Sequence, residues 1–291
     1  MVLLDGKATS KDIQAEIAAE VSSRMQRGYK RPHLAAILVG NDGASETYVA
    51  SKVKACERCG FESTLLRLNA NISQDELLEQ IEQLNNDDAV DGFIVQLPLP
   101  AHLNEQLVIE AIHPDKDVDG FHPVSVGKMA LNLPTYLPAT PYGIMQLLER
   151  SGVKTAGKHA VVVGRSHIVG SPMSILLARN TEPGNCTVTL THSKTADLAS
   201  FTREADILVV ALGRPEFITA DMVKEGAVVV DVGITRVDDD SEKGYTLKGD
   251  VHFDSVAPKC SYITPVPGGV GPMTIASLLK NTLQAARDKR S

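Results

Sequence analysis

Lys52 and Tyr48 stand four residues apart in "TYVASK". Apolar residues around them recur every three or four positions, so both side chains share one face of a predicted helix. An amine beside a phenol can move protons if burial lowers its pKa. On an exposed helix the same pair would simply be solvated, which is the usual fate of a lone Y-x-x-x-K. Two further stretches bear on that choice. In "VQLPLP" (95–100), Val95, Gln96 and Leu97 end a predicted strand ahead of a proline-stiffened loop. In "PDKDVDGFHP" (114–123), Asp115, Asp117, Asp119 and Gly120 fall in a single turn. Ligands of open α/β sheets bind at strand ends of this kind.

A second kind of chemistry is written in "VVVGRSHIVGSP" (161–172). Strand, glycine, short turn and helix is the geometry that aims backbone N–H groups and a helix dipole at a phosphate. Gly164 permits the turn and Gly170 lets the helix lie close to the strand. Arg165 and Ser166 stand where a dinucleotide fingerprint has small residues, and the glycine spacing is one residue longer than usual. NAD-specific domains place an acid about twenty residues on, at the end of the second strand. Here that strand ends in "TLTHSKT", with Thr191, His192, Ser193, Lys194 and Thr195 and no acid. Hydroxyls and cations there, with the planar fork of Arg165, suit a 2′-phosphate and point to NADP. Lys194 taken alone would be an ordinary surface lysine.

A third loop, "PVPGGVGPMT" (265–274), holds Pro267, Gly268, Gly269, Val270 and Gly271 ahead of the last helix. Its glycines would let backbone approach a flat ligand closely.

These residues need a scaffold. Predicted strands at 34–40, 63–69 and 90–98 alternate with helical stretches, giving βαβαβ and a parallel sheet. A second set of strands follows at 159–164, 186–192, 205–213, 227–234 and 262–264. The polar stretch 235–251 reads as an exposed hairpin or loop. The expected fold is α/β with two domains, residues 1–140 and a Rossmann-type domain at 141–271, with a cleft between them. The C-terminal helix (272–291) is expected to pack back on the first domain. No internal repeat is visible.

With 291 residues, a net charge of −7 and 43% hydrophobic residues, the chain has the profile of a soluble globular protein. The charge argues against a nucleic-acid surface, and no apolar run of about 18 residues suggests a membrane span. No signal-peptide pattern is present, so a cytoplasmic setting is expected. Cys56 and Cys59 form C-x-x-C inside a helical stretch, where they read as small residues on one face rather than as ligands. His122, His167 and His192 lie within motifs but are not spaced as metal ligands, and no metal is expected.

Short-chain dehydrogenases also use Y-x-x-x-K, but their glycine turn precedes the pair, whereas here it follows by over a hundred residues. The stretches "ILVGNDGASETYVASKVKAC", "GFIVQLPLP", "DKDVDGFHP", "GRSHIVGSPM", "DVGI" and "TPVPGGVGPMT" instead resemble, in order, the bifunctional methylenetetrahydrofolate dehydrogenase/methenyltetrahydrofolate cyclohydrolase family. The likeness runs from about residue 2 to 285.

The resemblance implies NADP-dependent oxidation of 5,10-methylenetetrahydrofolate and hydrolysis of the product to 10-formyltetrahydrofolate. It assigns proton transfer to Lys52, folate stacking or hydrogen bonding to Tyr48, tuning of the lysine to Gln96, and pairing with the pterin N–H edge to Asp119. Asp115 and Asp117 lie close by in the same turn. Val95, Leu97 and Pro267–Gly271 join the substrate residues. Gly164, Arg165, Ser166, Ile168, Ser193, Ile234 and Thr274 become cofactor residues, Ser193 at the 2′-phosphate and Ile234 through its backbone. The family commonly continues "DVGIN", whereas Thr235 follows Ile234 here. A homodimer is also implied. The rivals are another two-domain NADP dehydrogenase, acting on shikimate-type hydroxy acids, and a catalytically silent NADP-binding regulator.

Overall fold

The computed structural model describes residues 1–240 and 244–288. Part of the polar stretch (241–243) and the end of the expected C-terminal helix (289–291) lie outside the described residues. In chain order the first elements are β1 (Val2–Leu3), α1 (Gly6–Gln26), β2 (His33–Val39), α2 (Gly43–Cys59), β3 (Glu62–Leu68) and α3 (Gln74–Asn86). Then come β4 (Gly92–Val95), α4 (Glu105–Ala111), α5 (Pro123–Ala130) and α6 (Ala139–Arg150). The later elements are β5 (His159–Val163), α7 (Gly170–Ala178), β6 (Thr187–Thr191), α8 (Leu198–Thr202), β7 (Ile207–Val210) and β8 (Val228–Asp231). The chain closes with β9 (Thr235–Asp238), β10 (Tyr245–Lys248), α9 (Phe253–Val256), β11 (Tyr262–Ile263) and α10 (Val270–Asp288).

Two compact units result. One, the Lys52 unit, comprises Lys11–Ala139 and the chain from Ile275 on. The other, the Gly164 unit, comprises Met1–Ser10 and Thr140–Thr274. The first residues of the chain thus group with the Gly164 unit, because β1 pairs in parallel with β11. A two-residue strand carries no readable period, so nothing in the sequence marked it.

The Lys52 unit is built on a parallel sheet of order β3-β2-β4. Every residue of β2 and β4 is buried, as expected of parallel strands covered on both faces. Leu77, Ile81 and Leu84 of α3 share a core with Ala35, Ile37 and Phe93. In α10, the side-chain amide of Asn281 donates to the carbonyls of Val118 and Leu137, at 2.8 and 2.9 Å.

The Gly164 unit carries a six-stranded parallel sheet of order β1-β11-β8-β7-β5-β6. Its central strands β7 and β8 are wholly buried, whereas the edge strand β6 is exposed at Thr187 and Leu190 and buried only at Thr191. The polar stretch forms the antiparallel pair β9–β10.

Each unit clamps its strands with the same device, which no sequence repeat announces. The amide of His33, opening β2, donates to Asp91 at 2.9 Å, and its ring nitrogens meet Ala89 O and Thr64 Oγ1. The amide of His159, opening β5, donates to Asp206 at 3.0 Å, and its ring meets Glu204 O and Thr189 Oγ1. In both, one ring ties three strand entrances together.

Candidate functional site

Helix α2 carries the first group of candidates. Asp42 caps its start by accepting from the Ser45 amide at 2.8 Å. Gly60 ends it at φ 75°, a left-handed turn that glycine makes without strain. The buried side chains are Ser45, Val49, Lys52, Ala55, Cys56 and Cys59. Lys52 thus occupies a position of the buried stripe that would ordinarily be apolar.

Its amine has two partners. Nζ donates to Gln96 Oε1 at 3.0 Å, just past the end of β4, and lies 5.8 Å from the centre of the half-buried Tyr48 ring. The Gln96 side-chain nitrogen donates to Leu97 O at 2.7 Å, which turns the amide oxygen toward the lysine. Burial pushes the Lys52 amine below the ordinary lysine range, against the opposing charge of Asp119. Burial likewise pushes the Asp119 carboxyl up, and Lys52 pulls it back down.

The acidic turn resolves into three different acids. Asp115 is exposed. Asp117 is buried and turned inward: it accepts from the amides of Gly120, Phe121 and His122 and from the Ser125 hydroxyl, at 2.8–3.2 Å. Burial pushes its carboxyl up to about 6. Gly120 turns the chain at φ 75°, where a Cβ would stand 2.6 Å from the Leu137–Pro138 backbone. Asp119 lines a small cavity with Ile94, Val95, Leu97, Ile109 and Phe121, and Asp117 borders the same cavity. The structure thus brings together Lys52, Tyr48, Gln96 and Asp119. The Val95 side chain is buried in the core and reaches the site only at the cavity wall.

In the Gly164 unit the phosphate-type turn has the close packing that its glycines suggest. Gly164 has φ 112°, and a Cβ on it would stand 2.2 Å from Ala211 O. A Cβ on Gly170 would meet Gly164 O at 1.9 Å. Arg165 is exposed and Ile168 half-buried. Ser166 Oγ accepts from the amides of Val169 and Gly170 at 3.1 and 3.4 Å, so its proton is what it can offer a phosphate.

Val163 and Thr191 are register partners on β5 and β6, which sets this turn beside the 192–195 turn. There the His192 amide donates to Thr195 Oγ1 and the Lys194 amide to His192 Nδ1, with Ser193 exposed. Exposed hydroxyl and cations, a glycine-built turn and no acid fit a dinucleotide bearing a 2′-phosphate. Ile234 is 51% exposed after β8, which leaves its surroundings open for a ligand. Pro267–Gly271 group with this unit and not with Lys52. The Gly268 carbonyl is held by the Lys7 amide at 2.9 Å, and Thr274 Oγ1 meets Thr140 Oγ1 at 3.0 Å.

Two residues that sequence reading passed over organise these loops. Asp231 and Asp250 are both buried and accept only backbone N–H groups. The available signal was an acid closing the apolar run "VVVD". The four cysteines are buried free thiols, with burial pushing Cys56 up to about 12 and Cys59 to about 11. His122 caps α5 through its ring nitrogen. Among the described residues no group of three or more His, Cys, Asp or Glu is placed to hold a metal, and no helix is long and apolar enough to cross a membrane.

Residues 4–119 match the tetrahydrofolate dehydrogenase/cyclohydrolase catalytic domain, and residues 138–290 match the NAD(P)-binding domain of the same family. The bifunctional protein FolD of Cytophaga hutchinsonii is 67% identical over 287 residues, 98% of this chain and 99% of that protein. The solved structure of the Campylobacter jejuni bifunctional enzyme FolD, a methylenetetrahydrofolate dehydrogenase/cyclohydrolase, is 50% identical with a TM-score of 0.93, covering 99% of both chains. The Trypanosoma brucei dehydrogenase–cyclohydrolase, complexed with NADP cofactor and inhibitor, is 41% identical with a TM-score of 0.94, covering 100% of this chain and 99% of that one. Two matched domains and near-complete coverage leave one assignment: the chain belongs to the tetrahydrofolate dehydrogenase/cyclohydrolase family.

Proposed function

We propose that the protein oxidises 5,10-methylenetetrahydrofolate with NADP and hydrolyses the resulting 5,10-methenyl cation to 10-formyltetrahydrofolate. The observation that carries this reading is the buried Lys52 amine, bonded to Gln96 at 3.0 Å and facing the charge of Asp119. NADP supplies the hydride acceptor. The chain's part in that step is positioning, with Arg165, Ser166 and Ser193 on the phosphates and the Ile234 backbone at the nicotinamide.

Hydrolysis asks more of the side chains. Water adds to the methenyl carbon and gives up a proton. The C–N5 bond then breaks while N5 takes up a proton and the new hydroxyl loses one. A lysine held below its ordinary pKa is neutral often enough to accept such a proton and return it. Gln96 fixes where the amine points, Tyr48 covers it, and the Asp119 carboxylate meets the two-donor edge of the pterin. Pro267–Gly271, Leu97 and Val95 complete the substrate contacts.

We assign the protein to the cytoplasm, as a homodimer through the Gly164 unit. One spectrophotometric assay tests the function: methylenetetrahydrofolate with NADP should give methenyl and then formyl product. Turnover of shikimate-type hydroxy acids, or cofactor binding with no absorbance change on adding folate, would refute it.

A further inference from the structure

Asp231 and Asp250 form the least expected arrangement in the Gly164 unit. Asp250 Oδ2 accepts from the amides of Leu212 and Gly213 at 2.5 and 3.0 Å, and its Oδ1 accepts from Arg214 at 2.7 Å. These are three consecutive amides of the loop leaving β7. Asp231 Oδ1 accepts from Gly233 and from the amide of Asp250 itself, at 3.0 and 2.9 Å. Its Oδ2 accepts from Val251 at 2.9 Å. The Asp231 amide donates to Thr264 Oγ1 at 2.8 Å, and Thr264 opens the 264–271 loop beyond β11.

The surroundings are cut to admit the two acids. A Cβ on Gly233 would stand 2.3 Å from the Asp250 carboxyl carbon, and one on Gly249 would stand 1.9 Å from Asp231 Oδ2. Both residues are at most 3% exposed. Burial, with the neighbouring Asp250 charge adding to it, pushes the Asp231 carboxyl up to about 7. Two buried acids are a costly way to close a sheet that apolar side chains could close as well. What they achieve is specific. Strands β8 and β7 are neighbours in the sheet, and the loops at their C-terminal ends hang from these two carboxylates. Ligands of such sheets bind at those ends.

We infer that Asp231 and Asp250 are positioning residues for NADP, presetting the backbone of 212–214 and the turn at Gly233 before the cofactor arrives. The inference rests on the reading that NADP lies along these strand ends. Both are buried with each carboxylate oxygen on a backbone amide, so neither is placed to touch the cofactor itself. They act through the amides they hold, so the ordering of the loops does not have to be supplied by the cofactor on binding.

The test is the isosteric pair Asp250→Asn and Asp231→Asn, followed by NADPH fluorescence titration, steady-state kinetics and amide hydrogen exchange. NADPH Kd and the NADP KM should rise tenfold or more, with kcat of the dehydrogenase falling far less. Cyclohydrolase measured on methenyltetrahydrofolate without cofactor should stay within about twofold. A Kd within twofold of the unmodified protein, or parallel loss of both activities, would overturn the inference. Should neither variant fold, exchange in the unmodified protein decides. Amides 212–214 and 233 should be protected without NADPH and gain little on its addition; fast exchange that slows only with NADPH would contradict presetting. Unmodified protein that binds no NADPH would overturn the cofactor reading and this inference with it, a failure visible before any substitution is made.

Discussion

Lys52 Nζ donates to Gln96 Oε1 at 3.0 Å from a helix face whose other buried members are Ser45, Val49, Ala55, Cys56 and Cys59. The amine therefore has its geometry set by one neutral amide and its charge balanced by one acid, Asp119. Replacing Gln96 with Glu would add a second negative charge and hold the proton on Lys52. With the neutral Lys52 amine as the proposed proton acceptor for cyclohydrolase, its pH midpoint should move up by about one unit or more, with activity at neutral pH falling at least tenfold. A pH–rate profile checks this, and an unmoved midpoint would contradict the assignment.

Arg165 is the exposed cation of the phosphate-type turn. A charge-assisted hydrogen bond contributes about 1.5–3 kcal/mol. Arg165→Ala should therefore raise the NADP KM by roughly 10- to 100-fold and leave any NAD activity nearly unchanged. An NADP KM that does not move would remove Arg165 from the 2′-phosphate.

Gly170 packs against the turn backbone, where an added Cβ would lie 1.9 Å from Gly164 O. Gly170→Ala should cost about 1–3 kcal/mol of stability and weaken NADPH binding severalfold. Thermal melting and NADPH titration check it, and an unchanged melt would show that the turn can open without cost.

Asp117 gives a pH dependence with a definite sign. Its folded value is raised to about 6, from 3.8, by burial. The protonated form is therefore favoured in the folded protein. This contribution is fully present below about pH 4 and is lost as pH rises through 6. The shift of about two units corresponds to about 3 kcal/mol. Urea unfolding at pH 4.5 and 7.5 should show the unmodified protein losing stability relative to Asp117→Asn as pH rises. A gap that stays constant would contradict it.

Much of this was legible in the residues. The β-branched runs marked the buried strands, and Gly164 and Gly170 marked the turn by a conformation and a closeness that no other residue tolerates. The division of labour among the acids was not legible. Asp115, Asp117 and Asp119 are alike in sequence, and only the folded turn sends one to solvent, one to its own backbone and one toward Lys52. Asp250 was equally hidden, because its partners are amides 36–38 residues away. Helix α1 was passed over as well; its buried stripe is Ile13, Ile17 and Val21 among small and polar neighbours.

The most direct test of the account is Lys52→Met, assayed for both activities on one preparation. Cyclohydrolase should fall by at least about 100-fold, the scale of lost proton transfer. A substantial part of the dehydrogenase should remain, and the melting temperature should not drop, since a buried amine is replaced by an apolar chain. Equal loss of both activities in a folded protein would contradict the claim that Lys52 carries the proton.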